Sequence, residues 1–235
     1  MNVATRHETG AALTAVAGEP ALFDHRGALV LPQHRLLVIS DLHLEKGSSF
    51  ARRGVMMPPY DSAATLCLLA DVIDDHRPEI VISLGDSFHD GGGAARMPQP
   101  FRDRLVSLMR GRDWFWVAGN HDPEPPRGLP GDTVRELALG ALTFRHEPSR
   151  GPVDGEVAGH LHPGARIVRR GRSVRRRCFA TDGARLIMPS FGAFTGMLNV
   201  RDRAIWPLFE ASRFRAFMMG KGRVYPIAGA MLRAG

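Results

Sequence analysis

The stretch Ser40-Asp41-Leu42-His43-Leu44-Glu45-Lys46-Gly47 follows the apolar run Leu36, Leu37, Val38, Ile39. So short a continuous apolar run reads as a strand buried on both faces. Asp41 and His43, two residues apart as the run ends, are expected to project to the same side. A carboxylate and an imidazole thus leave the sheet together. Asp beside His is common on protein surfaces; what makes this pair informative is that later strand ends carry the same kinds of residue.

Downstream, Leu66, Leu69, Ala70 and Ile73 recur at helical spacing after a loop with Pro58 and Pro59. Asp61 is the expected N-cap and Pro78 the stop. Ile80 to Ile82 form a second buried strand that ends in GDSFHD (Gly85 to Asp90). After the Gly91 to Gly93 loop, Phe101, Leu105, Leu108 and Met109 mark one face of another helix. Trp114 to Val117 then form a third strand, ending in GNHD (Gly119 to Asp122). Strand, helix, strand, helix, strand is the pattern of a parallel sheet with helical crossovers, whose polar groups gather at the carboxyl ends of the strands. Beyond Asp122 the segments become shorter. Leu142 to Phe144 lead into His146, and Glu156 to Ala158 lead into GHLHP (Gly159 to Pro163). Turns at Asp182-Gly183 and Gly220-Lys221-Gly222 separate hairpin strands, so a second, more antiparallel sheet is expected.

Composition limits the alternatives. Of 235 residues, 44% are hydrophobic and 23% charged, ordinary values for a chain with a core. Because the polar clusters run from Asp41 to His162, one domain over residues 1–235 is expected, with residues 1–20 loosely ordered. Cys67 and Cys178 lie far apart and show no CxxC spacing, so neither a disulfide framework nor a cysteine zinc site is signalled, which fits reduced thiols in a cytoplasmic protein. Cys67 is expected in the core, on the apolar side of its helix. No apolar span approaches membrane length, so no membrane partner is expected. The formal net charge is +7, and seven arginines without an acid lie between Arg166 and Arg177: Arg166, Arg169, Arg170, Arg172, Arg175, Arg176 and Arg177. Such a run suits a phosphate backbone, which makes DNA a candidate partner; the plainer reading is a solvated basic hairpin.

Five polar clusters carry the chemistry: Asp41 with His43; Asp86; Asn120, His121 and Asp122; His146; and His160 with His162. Carboxylates, imidazoles and one amide oxygen suit Mn²⁺, Fe or Zn²⁺ better than Ca²⁺. Two ions close together need a bridging carboxylate, for which Asp86 is the natural choice. The simplest partition gives Asp41, His43, Asp86 and His162 to one divalent metal ion and Asp86, Asn120, His146 and His160 to the other. His7, His25, His34 and His76 read as surface residues, and Glu45, Lys46, Arg52 and Arg53 are as easily solvated as functional.

The series DxH, GDxxHD, GNHD, a lone His and GHxH resembles the calcineurin-like metallophosphoesterase superfamily. That resemblance implies a mixed α/β fold, a four-layer αββα sandwich, with two metals, most simply Mn²⁺, between loops at the sheet ends. The segments SDLHLEKGSSFARRG, MPPYD, LGDSFHD, AGNHDP, FRHE, GEVAGHLHP, RRRCF and MPSFGAFTGMLNV more closely resemble the bacterial ligase-associated DNA damage response endonucleases. From this follow a repair role and, as partners, DNA and the DNA ligase, helicase and exonuclease of the same repair system. Phosphatases of the superfamily carry GDxxDRG, whereas His89 and Asp90 stand at the Asp and Arg positions here. GDxFH instead is similar to its double-strand-break repair nucleases, where the histidine faces a scissile diester.

The implied chemistry is attack of a metal-bridging hydroxide on phosphorus, with His121 as proton donor, Asp122 orienting it and His89 on the phosphate or leaving group. Arg169, Arg170, Arg175, Arg176 and Arg177 would bind the nucleic acid. Two other functions fit the same residues: a dimetal phosphodiesterase of small substrates such as cyclic nucleotides, and a non-catalytic scaffold. A scaffold would be expected to lose ligands or the donor, and this chain retains both.

Overall fold

The computed structural model describes residues 10–55, 60–124 and 126–234. The expected Pro58–Pro59 loop and His7 lie outside the described residues.

The first sheet holds seven strands in sequence order: β1 (Ala12–Val16), β2 (Glu19–Phe23), β3 (Leu29–Leu31), β4 (Leu36–Ile39), β5 (Ile80–Leu84), β6 (Asp113–Val117) and β7 (Asp132–Val134). The pairings from β1 to β4 are antiparallel and those from β4 to β7 parallel. Helices α1 (Lys46–Ala51) and α2 (Asp61–His76) follow β4, and α3 (Gly93–Arg96) and α4 (Gln99–Met109) follow β5.

The second sheet comprises β8 (Glu136–Leu139), β9 (Leu142–Arg145), β10 (Glu156–Ala158), β11 (Pro163–Arg169), β12 (Arg172–Thr181), β13 (Arg185–Ile187), β14 (Leu198–Asn199), β15 (Arg215–Gly220) and β16 (Arg223–Ala228). Its order is β14-β11-β12-β13-β10-β9-β8, with β15 on β12 and β16 on β15. The only parallel pairings here are those of β10 with β9 and β13 and of β11 with β14, among the described residues.

The pleat of β4 explains the layers. Leu36 and Val38 enter the core between the two sheets, with Phe144, Val157 and Phe179 opposite. Leu37 and Ile39 face the other way, against Leu66, Leu69 and Ile73 of α2 and Leu105 of α4. Each such side chain contributes about 1.5–3 kcal/mol by leaving water. On the far face of the second sheet, Ala165, Cys178, Ala180 and Met218 are covered by Val200, Ile205, Phe209, Phe214 and Leu232. This fourth layer is thin, built from loops and the 3-10 turn Trp206–Leu208.

Several expectations are corrected. Residues 12–20, expected to be loosely ordered, belong to the β1–β2 hairpin, whose two turn residues Ala17 and Gly18 have positive φ of 47° and 81°. Val16, Ala21 and Phe23 of this hairpin are buried between the sheets, and its turn is tied to the second sheet by Ala17 N to Gly183 O at 2.6 Å. Cys67 is exposed, because the buried stripe of α2 runs through Ser62, Thr65, Leu66, Leu69, Ala70 and Ile73, and Cys67 is turned about 130° from its centre. His76 is not a surface residue: its Nε2 lies 2.7 Å from Oδ2 of the buried Asp24. Asp61 is the first residue of α2 rather than its cap, and its carboxylate accepts the Gly47 amide of α1 at 2.9 Å.

Candidate metal centre

All five polar clusters lie at or just beyond the carboxyl ends of β4, β5, β6, β9 and β10. The chain after β4 is not an extension of the strand. Asp41 and His43 have positive φ of 53° and 44°, so their shared direction comes from two left-handed residues and not from the pleat. Asp86, His160 and His162 share this conformation, at 46°, 67° and 43°. A left-handed non-glycine residue costs about 1–2 kcal/mol, and such strain concentrates at functional sites. Hydrogen bonds between the loops hold it in place: His43 N to Asp86 O and Leu44 N to Ser87 O, both 2.9 Å, and Gly159 N to His146 O, 2.9 Å.

Two of the motif glycines show how closely the loops fit. A Cβ on Gly119 would lie 2.2 Å from Asp86 N and 2.3 Å from Asp86 Oδ1, and one on Gly159 would lie 2.0 Å from Ser40 Oγ and 2.7 Å from Asp41 Oδ2. Each glycine therefore makes room for a carboxylate from a different motif.

The ligand-type atoms gather in two sets. In the first, His162 Nε2 is 3.2 Å from Asp41 Oδ1 and 3.3 Å from His43 Nε2. In the second, His146 Nε2 is 2.9 Å from Asn120 Oδ1, 3.3 Å from His160 Nδ1 and 3.4 Å from Asp86 Oδ1. Asp86 lies between them, its other oxygen Oδ2 being 3.9 Å from His43 Nε2. Both Asp41, His43, His162 and Asp86, His146, His160 place their ligand atoms within 4.8 Å of one another, so each set could hold a metal ion.

The donor chemistry fits a cation. His146 Nδ1 lies 3.1 Å from Leu84 O and is the nitrogen that carries the proton, leaving Nε2 free as a ligand. That one nitrogen faces the oxygens of Asn120 and Asp86 and a second imidazole nitrogen, more partners than a single N–H can serve; a divalent ion serves all of them. Without metal the charges are already coupled. Burial pushes Asp41 and Asp86 up, but His162 and His146 outweigh it and hold both carboxyls below their usual range. Burial lowers His146, yet Asp86 and Asp41 raise it to about 9. Burial depresses His43 to about 4.

His43, His89 and His121 form an imidazole face beside the first set, with ring centroids 5.2 to 5.6 Å apart. His121 is 40% exposed, and its Nε2 lies 3.9 Å from Asp86 Oδ2. Asp122 was expected to orient this ring, and it does not. The His121 Nδ1–H donates to the carbonyl of His89 at 2.9 Å. Asp122 Oδ2 instead accepts the Phe88 amide at 2.9 Å, and burial raises its carboxyl to about 7. Asp90 is neutralised by a two-pronged bond to Arg96, both contacts 2.8 Å.

The arginine run forms the β11–β12 hairpin. Arg169, Arg170, Arg175 and Arg176 are exposed along it. Arg177, expected to bind nucleic acid, points inward: its NH1 donates to Ser190 O at 2.7 Å and Gly192 O at 3.0 Å. It sits one step past the exposed part of β12, where the strand enters the second sheet, and burial lowers its pKa. The loop it holds reaches the metal centre, for Phe191 N donates to Ser40 O at 2.7 Å and Gly192 N to Asp41 O at 3.2 Å.

That loop, residues 190–197, was not singled out by the residue chemistry, because it meets the site through backbone groups that any sequence has. Glu45 is not the solvated residue its sequence context allows. It is buried at 4% exposure, with its amide and carboxylate both bonded to Ser62 Oγ, at 2.9 and 2.8 Å.

A family model described as calcineurin-like phosphoesterase matches residues 34–180. Among solved structures, the chain is similar to a Pseudomonas putida nuclease, MPE, at 26% identity and a TM-score of 0.73, over 92% of this chain and 100% of that one. It also matches Yfce, a phosphoesterase from E. coli, at 15% identity and a TM-score of 0.41, over 82% of this chain and 98% of that one. Comparison with curated proteins finds no match.

Proposed function

Because the chain belongs to the calcineurin-like phosphoesterase family, we propose that it is a dimetal phosphodiesterase that cleaves DNA, with a role in repair. The observation that carries this is the position of Asp86, one carboxylate with an oxygen turned to each of two ligand sets. Asp41, His43 and His162 would hold one ion with Asp86, and Asn120, His146 and His160 would hold the other with it; the mixed oxygen and nitrogen donors favour Mn²⁺. Two bound ions supply positive charge for the phosphoryl oxygens and acidify a water nucleophile.

The chain's own residues do the rest. His89 and His121 face the phosphate from the open side of the first set. With Nδ1 committed to the His89 carbonyl, His121 Nε2 is the nitrogen that passes a proton to the leaving alkoxide. Asp90, tied up by Arg96, puts no free negative charge in the way of a diester. The exposed Arg169, Arg170, Arg175 and Arg176 favour a polyanionic substrate over a small diester, and the similarity to a nuclease supports DNA.

The test is Mn²⁺-dependent cleavage of an oligodeoxynucleotide and of bis(4-nitrophenyl) phosphate by chelated and reloaded protein. His121→Ala is expected to keep its metal and lose about 10²–10⁴-fold in kcat on the oligodeoxynucleotide, the usual contribution of a proton donor, with a smaller loss on bis(4-nitrophenyl) phosphate, whose leaving phenolate needs no proton. Full activity in that variant would remove His121 from the chemistry, and a failure of the wild type to cleave any diester would overturn the reading.

A further inference from the structure

The loop between β13 and β14 carries two phenylalanines with opposite surroundings. Phe191 is fully buried, whereas Phe194 is 47% exposed, and among the described residues no other phenylalanine or tryptophan is exposed to that degree. A single exposed apolar side chain is ordinary. This one, however, sits on a backbone held from every side. Gly192 N donates to Asp41 O at 3.2 Å, Ala193 N to Thr65 Oγ1 at 3.1 Å, and Thr195 Oγ1 is 2.6 Å from Ser190 Oγ. Lys46 Nζ donates to the carbonyl of Phe194 itself at 2.8 Å. The loop is fixed and the ring is left in water.

Its position relative to the metal centre is equally defined. Phe194 is two residues from Gly192, hence within about 7 Å of backbone that touches Asp41. The same Lys46 ammonium lies 5.9 Å from the Phe50 ring, which is 5.4 Å from the His89 ring. On its other side, Arg175 donates to Met197 O at 2.8 Å, so the basic hairpin begins where the loop ends. An exposed ring therefore lies between the imidazole face and exposed arginines, with cationic groups on both flanks. That combination of aromatic face and backbone-directed cations binds unpaired nucleotides.

We propose that Phe194 is a stacking platform for an unpaired base next to the scissile phosphate, and so the residue that fixes which nucleotide is presented to the metal centre. The proposal rests on the phosphodiesterase reading above and adds a specificity-determining residue to it. A duplex keeps its bases stacked on one another and offers none to the ring without unpairing; a flap or single strand offers one freely.

The test uses the full chain with Mn²⁺, a single-stranded oligodeoxynucleotide carrying 2-aminopurine, and bis(4-nitrophenyl) phosphate, which has no base. Phe194→Ala should raise the oligonucleotide KM roughly 5- to 140-fold relative to that for the small diester, the equivalent of about 1–3 kcal/mol per stacked base. Phe194→Trp should restore it. Wild type and Phe194→Trp should quench 2-aminopurine on binding, and Phe194→Ala should not. Equal losses on both substrates would make Phe194 a structural residue, and unchanged KM or absent quenching would overturn the stacking. Failure of the wild type to hydrolyse either diester would sink the phosphodiesterase reading instead, with the fluorescence still deciding whether the ring stacks.

Discussion

Replacing Gly119 with alanine tests the interlocking of the motifs directly. The new methyl would stand 2.2 Å from Asp86 N and 2.3 Å from Asp86 Oδ1, whereas ordinary contact begins at 3.4 Å. The first neighbour is backbone and the second is the shared carboxylate, itself held by the His121 amide at 2.9 Å. Neither has a soft direction in which to move, so Asp86 must shift by about 1 Å. Overpacking of this kind costs about 1–3 kcal/mol of stability, and a displacement of that size at a reacting centre costs about 10²-fold in rate. The assay is Mn²⁺-dependent hydrolysis of bis(4-nitrophenyl) phosphate beside thermal unfolding of the chelated protein. Gly111→Ala is the control: it has a positive φ of 71° but nothing within 4 Å of the added carbon. It should lose about 1 kcal/mol of stability and no activity. Wild-type turnover in Gly119→Ala, or equal activity losses in the two variants, would refute the account of why glycine stands in GNHD.

Asp24 sets an acid limit on stability. It is fully buried and bonded by Arg26 and His76; burial raises its pKa, but these partners outweigh it and hold the carboxyl well below the usual range. Its folded pKa being depressed, its stabilisation is complete above the unfolded value of about 3.9 and is lost as pH falls below that. Asp24→Asn should cost about 3 kcal/mol at neutral pH and flatten the loss of unfolding temperature below about pH 4; an unchanged acid slope would contradict this. Arg177→Met should remove both donors from the 190–192 carbonyls, cost about 1–3 kcal/mol of stability, and weaken metal binding through Asp41; unaltered Mn²⁺ affinity would sever that link. Arg175→Ala with Arg176→Ala should instead reduce the salt slope of DNA binding by roughly 1–2, and an unaltered slope would remove these arginines from the interface.

The strands and helices that carry side-chain periodicity were legible in the sequence. The buried runs at Leu36, Ile80 and Trp114 became β4, β5 and β6, and the stripe from Leu66 to Ile73 became α2. What periodicity does not encode was missed. The β1–β2 hairpin depends on burial against a distant sheet, and its turn begins at Ala17, a residue without strong turn chemistry. Candidate ligands could be named because their residue types are chemically specific. Their left-handed backbone, and the Ser190 to Gly192 carbonyls that hold Arg177, could not, since main-chain groups leave no trace in residue identity. Arg177 shows the limit most plainly: it continues a run of exposed arginines, and only the point where β12 enters the sheet turns it inward.

Metal stoichiometry tests the central claim most directly. Equilibrium dialysis of the chelated chain against Mn²⁺ should give two ions per chain for the wild type and a clear weakening of one site in His160→Ala. Asp86→Ala should weaken both sites together, because one carboxylate serves the two ligand sets. Two independent sites that persist unchanged in Asp86→Ala, or a single site in the wild type, would contradict the account.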